Sequence, residues 1–345
     1  MGTTLVQYRY LGADAEIRAG IAKTLITNSE LLRYLPFDEL ANNNITRSKF
    51  ELTDGGADTY EVGETWQESP PTWEYRDHPL AILGGDADVD KFGKIASGNS
   101  AKDMADVIEI KTQAIKDWFE ELAILGQTTA VSKYNATKNF KGLIRLLCEC
   151  ETASTNTGAT DLDGGIYNAH SGANNTQVLA AASGASATLT LDMVDWLIAA
   201  VPNCEAIMTN FQLIQKISSL ARAAGNNLEH DRDQLGFIVS HYGKVAVIQN
   251  DWVPVNFPDP STYVFAPASY TPTTTVSAGN DTCPIFAMRF GDDALTGITA
   301  DGMIQTEKFD KLETKDATRT RIKWYTGLSL RNKKAMAGLF GATAS

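Results

Sequence analysis

The sequence predicts an α+β fold with parts that project from its core. Three features predict it: an amphipathic N-terminal stretch, one long central amphipathic helix, and a long alternating strand near the C-terminus. At 345 residues the chain can bury a large core, and 43% hydrophobic with 21% charged residues is the composition of an ordinary globular protein. A net charge of -12 excludes a protein that grips nucleic acid over its whole surface, because phosphate binding needs clustered Lys and Arg.

Residues 13–35 carry Ile17, Ile21, Leu25, Leu31, Leu32 and Leu35 at near-helical spacing and stop before Pro36, which predicts a helical arm. From about 45 to 94 the chain is rich in Gly, Thr, Pro, Asp and aromatics. With TDGGADTY and ESPPTW as turn signals, it reads as a two-stranded excursion returning through LAILGGDADVDKF. The next segment puts Met104, Val107, Ile108, Ile115, Trp118, Phe119, Leu122 and Leu125 on one side of a helix over 100–125. Ser100 and Asp103 form a near capping box at its start and Gly126 closes it. Such a rod is roughly 35–40 Å long, with Trp118 and Phe119 expected in the core. Residues 151–188, poor in charge, read as loop or weak strand. LTLDMVDWLIAAV, CEAIMTN and FQLIQKISSLARAAG read as helix, strand and helix, the last ending at Gly225. EHDRD reads as a charged turn and GKVAVIQNDWVPV as a strand pair. In RTRIKWYTGLSLRN, Ile322, Trp324, Leu328 and Leu330 alternate with Arg321, Lys323, Ser329 and Arg331, a strand long for a globular protein.

The search for chemistry returns little. Asp86, Asp88 and Asp90 stand two apart, as carboxylates do at the start of a calcium loop, where a hard cation needs several oxygens from one tight turn. Lys91 replaces that loop's Gly and Ser97 its bidentate Glu. The competing reading is a strand over 86–92 with three carboxylates on a solvated face opposite Ala87 and Val89. GFIVSHYGK has six residues between its glycines where a phosphate loop has four, and reads as a hairpin turn. His78, His170, His230 and His241 fall in no zinc pattern, and Cys148, Cys150, Cys204 and Cys283 read as reduced thiols. No cofactor is implied and no catalytic signature is present, which lowers the expectation of an enzyme. The N-terminus lacks a secretory signal pattern, and no apolar run reaches the roughly 18 residues of a membrane span.

Parts that project without burying themselves need partners. LLRYLPF in the arm, HPLAILGGDADVDKF leaving the excursion, the long helix, and RTRIKWYTGLSLRNKKAMAGLFG at the end together resemble the major capsid proteins of tailed bacteriophages, with the Hong Kong 97 fold. The resemblance implies an N-terminal arm at 1–44, an extended loop at 45–93, a peripheral domain at 94–189 with a spine helix at 100–125, and an axial domain at 190–295. Residues 296–325 would return to the peripheral domain and 326–345 to the axial domain. It also implies hexamers and pentamers closing into an icosahedral shell around double-stranded DNA, a non-specific neighbour. A separate scaffolding protein, a portal and a decoration protein are the implied partners, with no membrane, and the implied location is the virion after assembly in the host bacterial cytoplasm. Some members cross-link a loop Lys to an Asn of a neighbour; Phe50 to Leu83 contains no Lys, so no cross-link is expected here. A shell of the encapsulin type, holding protein cargo, is the alternative, and a metal-dependent enzyme using Asp86, Asp88 and Asp90 a more distant one.

Charge is segregated along the chain. Residues 50–95 hold eleven acids and three bases, whereas 308–334 hold nine bases and three acids. The resemblance lays the loop across an adjacent subunit. The expected interface residues are therefore Glu61, Glu64, Trp66, Glu68, Trp73, Asp86, Asp88 and Asp90 on the loop, and Arg319, Arg321 and Lys323 on the basic strand. Pairing of the same charges within one subunit, or their facing solvent, is the competing expectation.

Overall fold

The structure is a computed structural model. It describes residues 3–4, 21, 24–25, 29–40, 45–53, 59–66, 72–90, 100–127, 133–134, 138–150, 160–161, 177–181, 187–225, 228–232, 237–255, 282–309, 312 and 315–344, several of them by backbone alone.

The arm enters as strand β1 (Thr3–Thr4), short helix α1 (Glu30–Tyr34) and β2 (Pro36–Glu39). Residues 21, 24 and 25 are helical, but the single helix expected over 13–35 does not run through: Ser29 has extended backbone, and its side chain accepts the Leu32 N–H at 3.2 Å, so α1 starts afresh. The excursion is the hairpin β3 (Ile45–Thr53) and β4 (Thr72–Pro79), followed by β5 (Ala81–Asp90). The spine helix α2 spans Ser100–Leu125, the expected bounds, and α3 follows at Leu143–Cys150. Gly126 closes α2 as expected, its N–H donating to the Leu122 carbonyl at 2.8 Å, without taking the left-handed conformation itself. Leu125 and Gly126 lead into Gln127, which takes the left-handed turn at φ 55°, while a Cβ on Gly126 would fall on the Phe140 carbonyl oxygen.

Short strands β6 (Thr160–Asp161), β7 (Val178–Ala180) and β8 (Ala187–Thr188) precede helix α4 (Leu191–Ala199), β9 (Ala206–Thr209) and helix α5 (Phe211–Ala223). Gly225, at φ 82°, ends α5. Then come β10 (Glu229–Arg232), β11 (Ile238–Tyr242), β12 (Val245–Gln249), β13 (Thr282–Met288), β14 (Leu295–Phe309), β15 (Ala317–Leu330) and β16 (Met336–Thr343). Two expectations fail here. EHDRD supplies β10, a strand, because backbone pairing with β11 needs no apolar side chains. The second strand expected in GKVAVIQNDWVPV is absent: Asn250 accepts the Trp252 N–H through its side chain and turns the chain.

The strands form a five-stranded sheet, β1-β2-β14-β15-β5, and a nine-stranded sheet, β10-β11-β12-β9-β13-β16-β7-β6 with β8 on β16; among the described residues β3 and β4 pair only with each other. β7 and β8 come from the segment assigned above to the peripheral domain, yet they pair in parallel with β16 of the larger sheet. That sheet is covered on both faces, so β13 is buried at every position and is apolar from Cys283 to Met288. α4 and α5 share one core with Ile207, Ile285 and Leu339, while Met208, Phe286 and Phe340 face the other. The second core joins the sheets through an aromatic stack in which Phe119 lies 4.8 Å from Trp324 and 5.5 Å from Phe140, between ring centres. Phe119 is fully buried; Trp118 is only half-buried, stacked on Tyr134 with the Lys133 ammonium over its ring.

Candidate subunit interface

β15 alternates as its sequence requires. Ile322 and Trp324 enter the core, leaving Arg319, Arg321 and Lys323 on the opposite face. The antiparallel register sets Arg319 across from Asp88 and Arg321 across from Asp86. Both pairs are two-pronged. Arg319 donates through Nε and Nη2 to Asp88 at 2.6 and 2.7 Å, and Arg321 likewise to Asp86 at 2.7 and 2.9 Å. Arg319 also reaches Asp86 at 3.1 Å. The hydrogen bonds from the arginines hold both carboxyls below the ordinary aspartate value. Lys323 turns the other way, donating to Glu307 of β14 at 2.6 Å.

Asp86 and Asp88 thus pair with Arg321 and Arg319 within one chain, the arrangement of the competing expectation, and Lys323 meets neither of them. The physical reason is register, since β5 is the direct neighbour of β15 and each carboxylate meets a guanidinium without reaching. Asp90, opposite Ala317, is exposed at the strand's end. The competing strand reading describes Asp86–Asp90 well, with Ala87 fully buried beneath them. Among the described residues no group of three or more His, Cys, Asp or Glu is arranged to hold a metal ion. No described helix is long and apolar enough to cross a membrane.

The loop tip is built differently. Glu61 to Glu64 make a tight turn: the Glu64 N–H donates to the Glu61 carbonyl at 3.1 Å, the Glu61 N–H donates to the Glu64 carboxylate at 2.8 Å, and Gly63 supplies φ 93°. The turn brings Tyr60 and Trp66 into a stack 4.2 Å between ring centres. Val62 is fully exposed and Trp66 78% exposed, an apolar point with two carboxylates on a hairpin of polar sequence. Glu68 lies outside the described residues, and Trp73 is described by its backbone only, in β4. Sequence reasoning missed Tyr60 and Glu307. Tyr60 was legible as the aromatic six residues before Trp66 across a Gly turn; Glu307 was not, because its role rests on the pairing of β14 with β15.

A model of the SU10 major capsid protein family matches residues 93–343. The chain belongs to that family. The capsid protein is thus a structural protein of the virion shell, and the match leaves the arm and the extended loop outside it. No curated protein matches it in sequence. Solved structures share its fold. The holo-SrpI encapsulin complex from Synechococcus elongatus PCC 7942 is similar at 15% identity and TM-score 0.57, over 93% of this chain and 89% of that one. The capsid of the empty GTA particle is similar at 14% identity and TM-score 0.55, over 91% and 90%. Mycobacterium phage Bobi is similar at 12% identity and TM-score 0.51, over 92% and 91%. The capsid protein has the Hong Kong 97 fold.

Proposed function

We propose that the capsid protein assembles with copies of itself, as hexamers and pentamers, into an icosahedral shell around double-stranded DNA. In this reading Trp66, with Tyr60 behind it and Glu61 and Glu64 beside it, is a point at which one subunit holds the next. The observation that supports it is an exposed Trp66 stacked on Tyr60 at the end of a hairpin whose strands, among the described residues, pair with no other sheet. An exposed Trp costs solvation and gains nothing until a partner covers it. The root of the loop, pinned to β15 by Asp86 and Asp88, gives the tip a fixed base.

The role is structural, with no catalytic residue, metal or cofactor assigned. The acidic composition suits a container, because a shell must hold DNA without binding it tightly. Assembly takes place in the bacterial cytoplasm with a separate scaffolding protein and a portal, and a decoration protein is a further partner of the finished surface. Electron microscopy of purified particles tests this directly. Closed shells containing DNA are expected; shells filled with protein cargo would instead make this an encapsulin-type compartment, and a chain that forms no shell would overturn the reading. Trp66→Ala should leave a folded subunit that assembles poorly, and normal assembly of that variant would remove the tip from the interface.

A further inference from the structure

Helix α1 lies where the two sheets meet, and its consecutive residues Ser29 and Glu30 hold opposite sides. Ser29 is buried; its hydroxyl caps the helix and donates to the buried Glu120 of α2. Glu30 reaches the nine-stranded sheet instead, where its carboxylate accepts the Gln249 N–H at 2.7 Å.

That amide is a particular one. The N–H groups of Ala246 in β12 and of Asn250 just after it donate to the carbonyls of Glu205 and Thr209, on the β9 side. Those of Val245, Val247 and Gln249 therefore face β11. The β11–β12 ladder ends at the pair Ser240 and Val247, although β11 itself runs on to Ile238 in its pairing with β10, so Gln249 is the first amide on this side that β11 does not meet, and Glu30 accepts it instead. Arg33, one turn on, lies 4.1 Å from the ring centre of Phe237, which leads into β11, and Tyr34 stacks on Phe290 beyond β13. On the other side Leu31, Leu32 and Leu35 enter the core with Phe119, and Asp38 pairs with Arg331 at the end of β15. Burial raises the Glu30 carboxyl above its ordinary value against the pull of the Gln249 N–H and Arg33, and Asp251 adds to the rise.

We propose that α1 is a clasp that sets the angle between the two sheets, with Glu30 on the open end of β12 as its outer grip, and so sets the curvature of the shell. The curvature rests on the shell reading above; the clasp itself does not. Ser29 holds α2, which packs on β5 of the five-stranded sheet, and Glu30 holds β12 of the nine-stranded one; because the two residues are adjacent, one displacement of α1 loosens both holds together.

The test uses the full chain. Hydrogen exchange of the Gln249 amide in unassembled subunits should be slow in the wild type and about tenfold faster in Glu30→Ala, the change expected from losing one charge-assisted hydrogen bond. Glu30→Gln keeps an acceptor oxygen and removes the charge, so protection should be retained. Unchanged exchange in Glu30→Ala overturns the clasp. Should Glu30→Ala fail to fold, Arg33→Ala removes the second grip, and the same amide should then exchange faster; no change there overturns the clasp equally. Particle diameter, by cryo-electron microscopy, tests the curvature: a shifted or broadened distribution in Glu30→Ala, restored in Glu30→Gln, is expected. Accelerated exchange with wild-type diameters would overturn the control of curvature alone. A wild-type chain that forms no shells would defeat the shell reading and leave the exchange result to decide the clasp.

Discussion

The root and the tip of the extended loop are equally acidic in character and physically opposite. At the root, Asp86 and Asp88 meet Arg321 and Arg319 across an antiparallel ladder, so their charge is answered inside the subunit. At the tip, Glu61 and Glu64 shape a turn, and Val62 and Trp66 face outward. The difference teaches that a block of like charge in the sequence does not by itself mark a docking surface, because a neighbouring strand of the same chain can supply its counterpart. The root is fixed to its own subunit, and the tip carries its apolar side chains into the open.

The sharpest contrast is between two tryptophans. Trp324→Ala, in the aromatic stack of the core, should cost about 3–5 kcal/mol in denaturant unfolding of the subunit. Trp66→Ala should change the same measurement by no more than about 0.5 kcal/mol. Comparable losses would mean that the tip is part of the fold and would erase the contrast.

A charge exchange addresses the root. Arg321→Asp should lower the unfolding midpoint of the isolated subunit, and adding Asp86→Arg in the same chain should recover much of the loss. Mixing subunits that each carry one of the two changes should recover nothing. Recovery only in the mixture would return the pairing to the contact between subunits.

Acid separates the root from the buried spine, because their carboxyls shift in opposite directions. Burial raises Glu120 above its ordinary 4.5, with Asp117 adding to the rise and Ser29 and Lys116 opposing. Its charged form therefore weakens the fold at neutral pH, and stability should grow as pH falls through its raised value. Asp86 and Asp88 are lowered from an ordinary 3.8, so their contribution is full above that value and is lost as pH falls through the lowered one. Stability should thus rise from pH 7 toward about 4.5 and fall below about 3.8. Glu120→Gln should flatten the rise and Asp88→Asn should soften the fall. A profile that falls steadily from neutral pH would contradict the assignment. The smallest effect expected is on Tyr134, pushed up to about 12 chiefly by burial and then by the Glu121 carboxylate. It should remain protonated through pH 10, as read by its ultraviolet absorbance.

Much of the fold was legible because side chains report burial locally. The apolar stripe of α2 and the alternation of β15 each arise from one face meeting a core, and periodicity records that face whatever the core is. Residues 151–188 carried no such record; β7 and β8 form because β16 offers them an edge, and β6 forms on β7. EHDRD failed for the same reason, since β10 is held by main-chain bonds that its side chains do not advertise. The two interface candidates divide along this line. Trp66 in a Gly-containing turn was recognisable as an exposed aromatic from its neighbours in sequence. Whether Asp86 and Asp88 meet Arg321 and Arg319 in their own chain or another was not, because residues more than two hundred positions apart are joined by strand order and register alone. By itself the sequence determined which residues alternate, which cap and which carry charge, all properties of a few neighbours along the chain. Only the tertiary structure decided which charges cancel and which amide Glu30 takes, because those depend on which strand edges are left open once the sheets have formed.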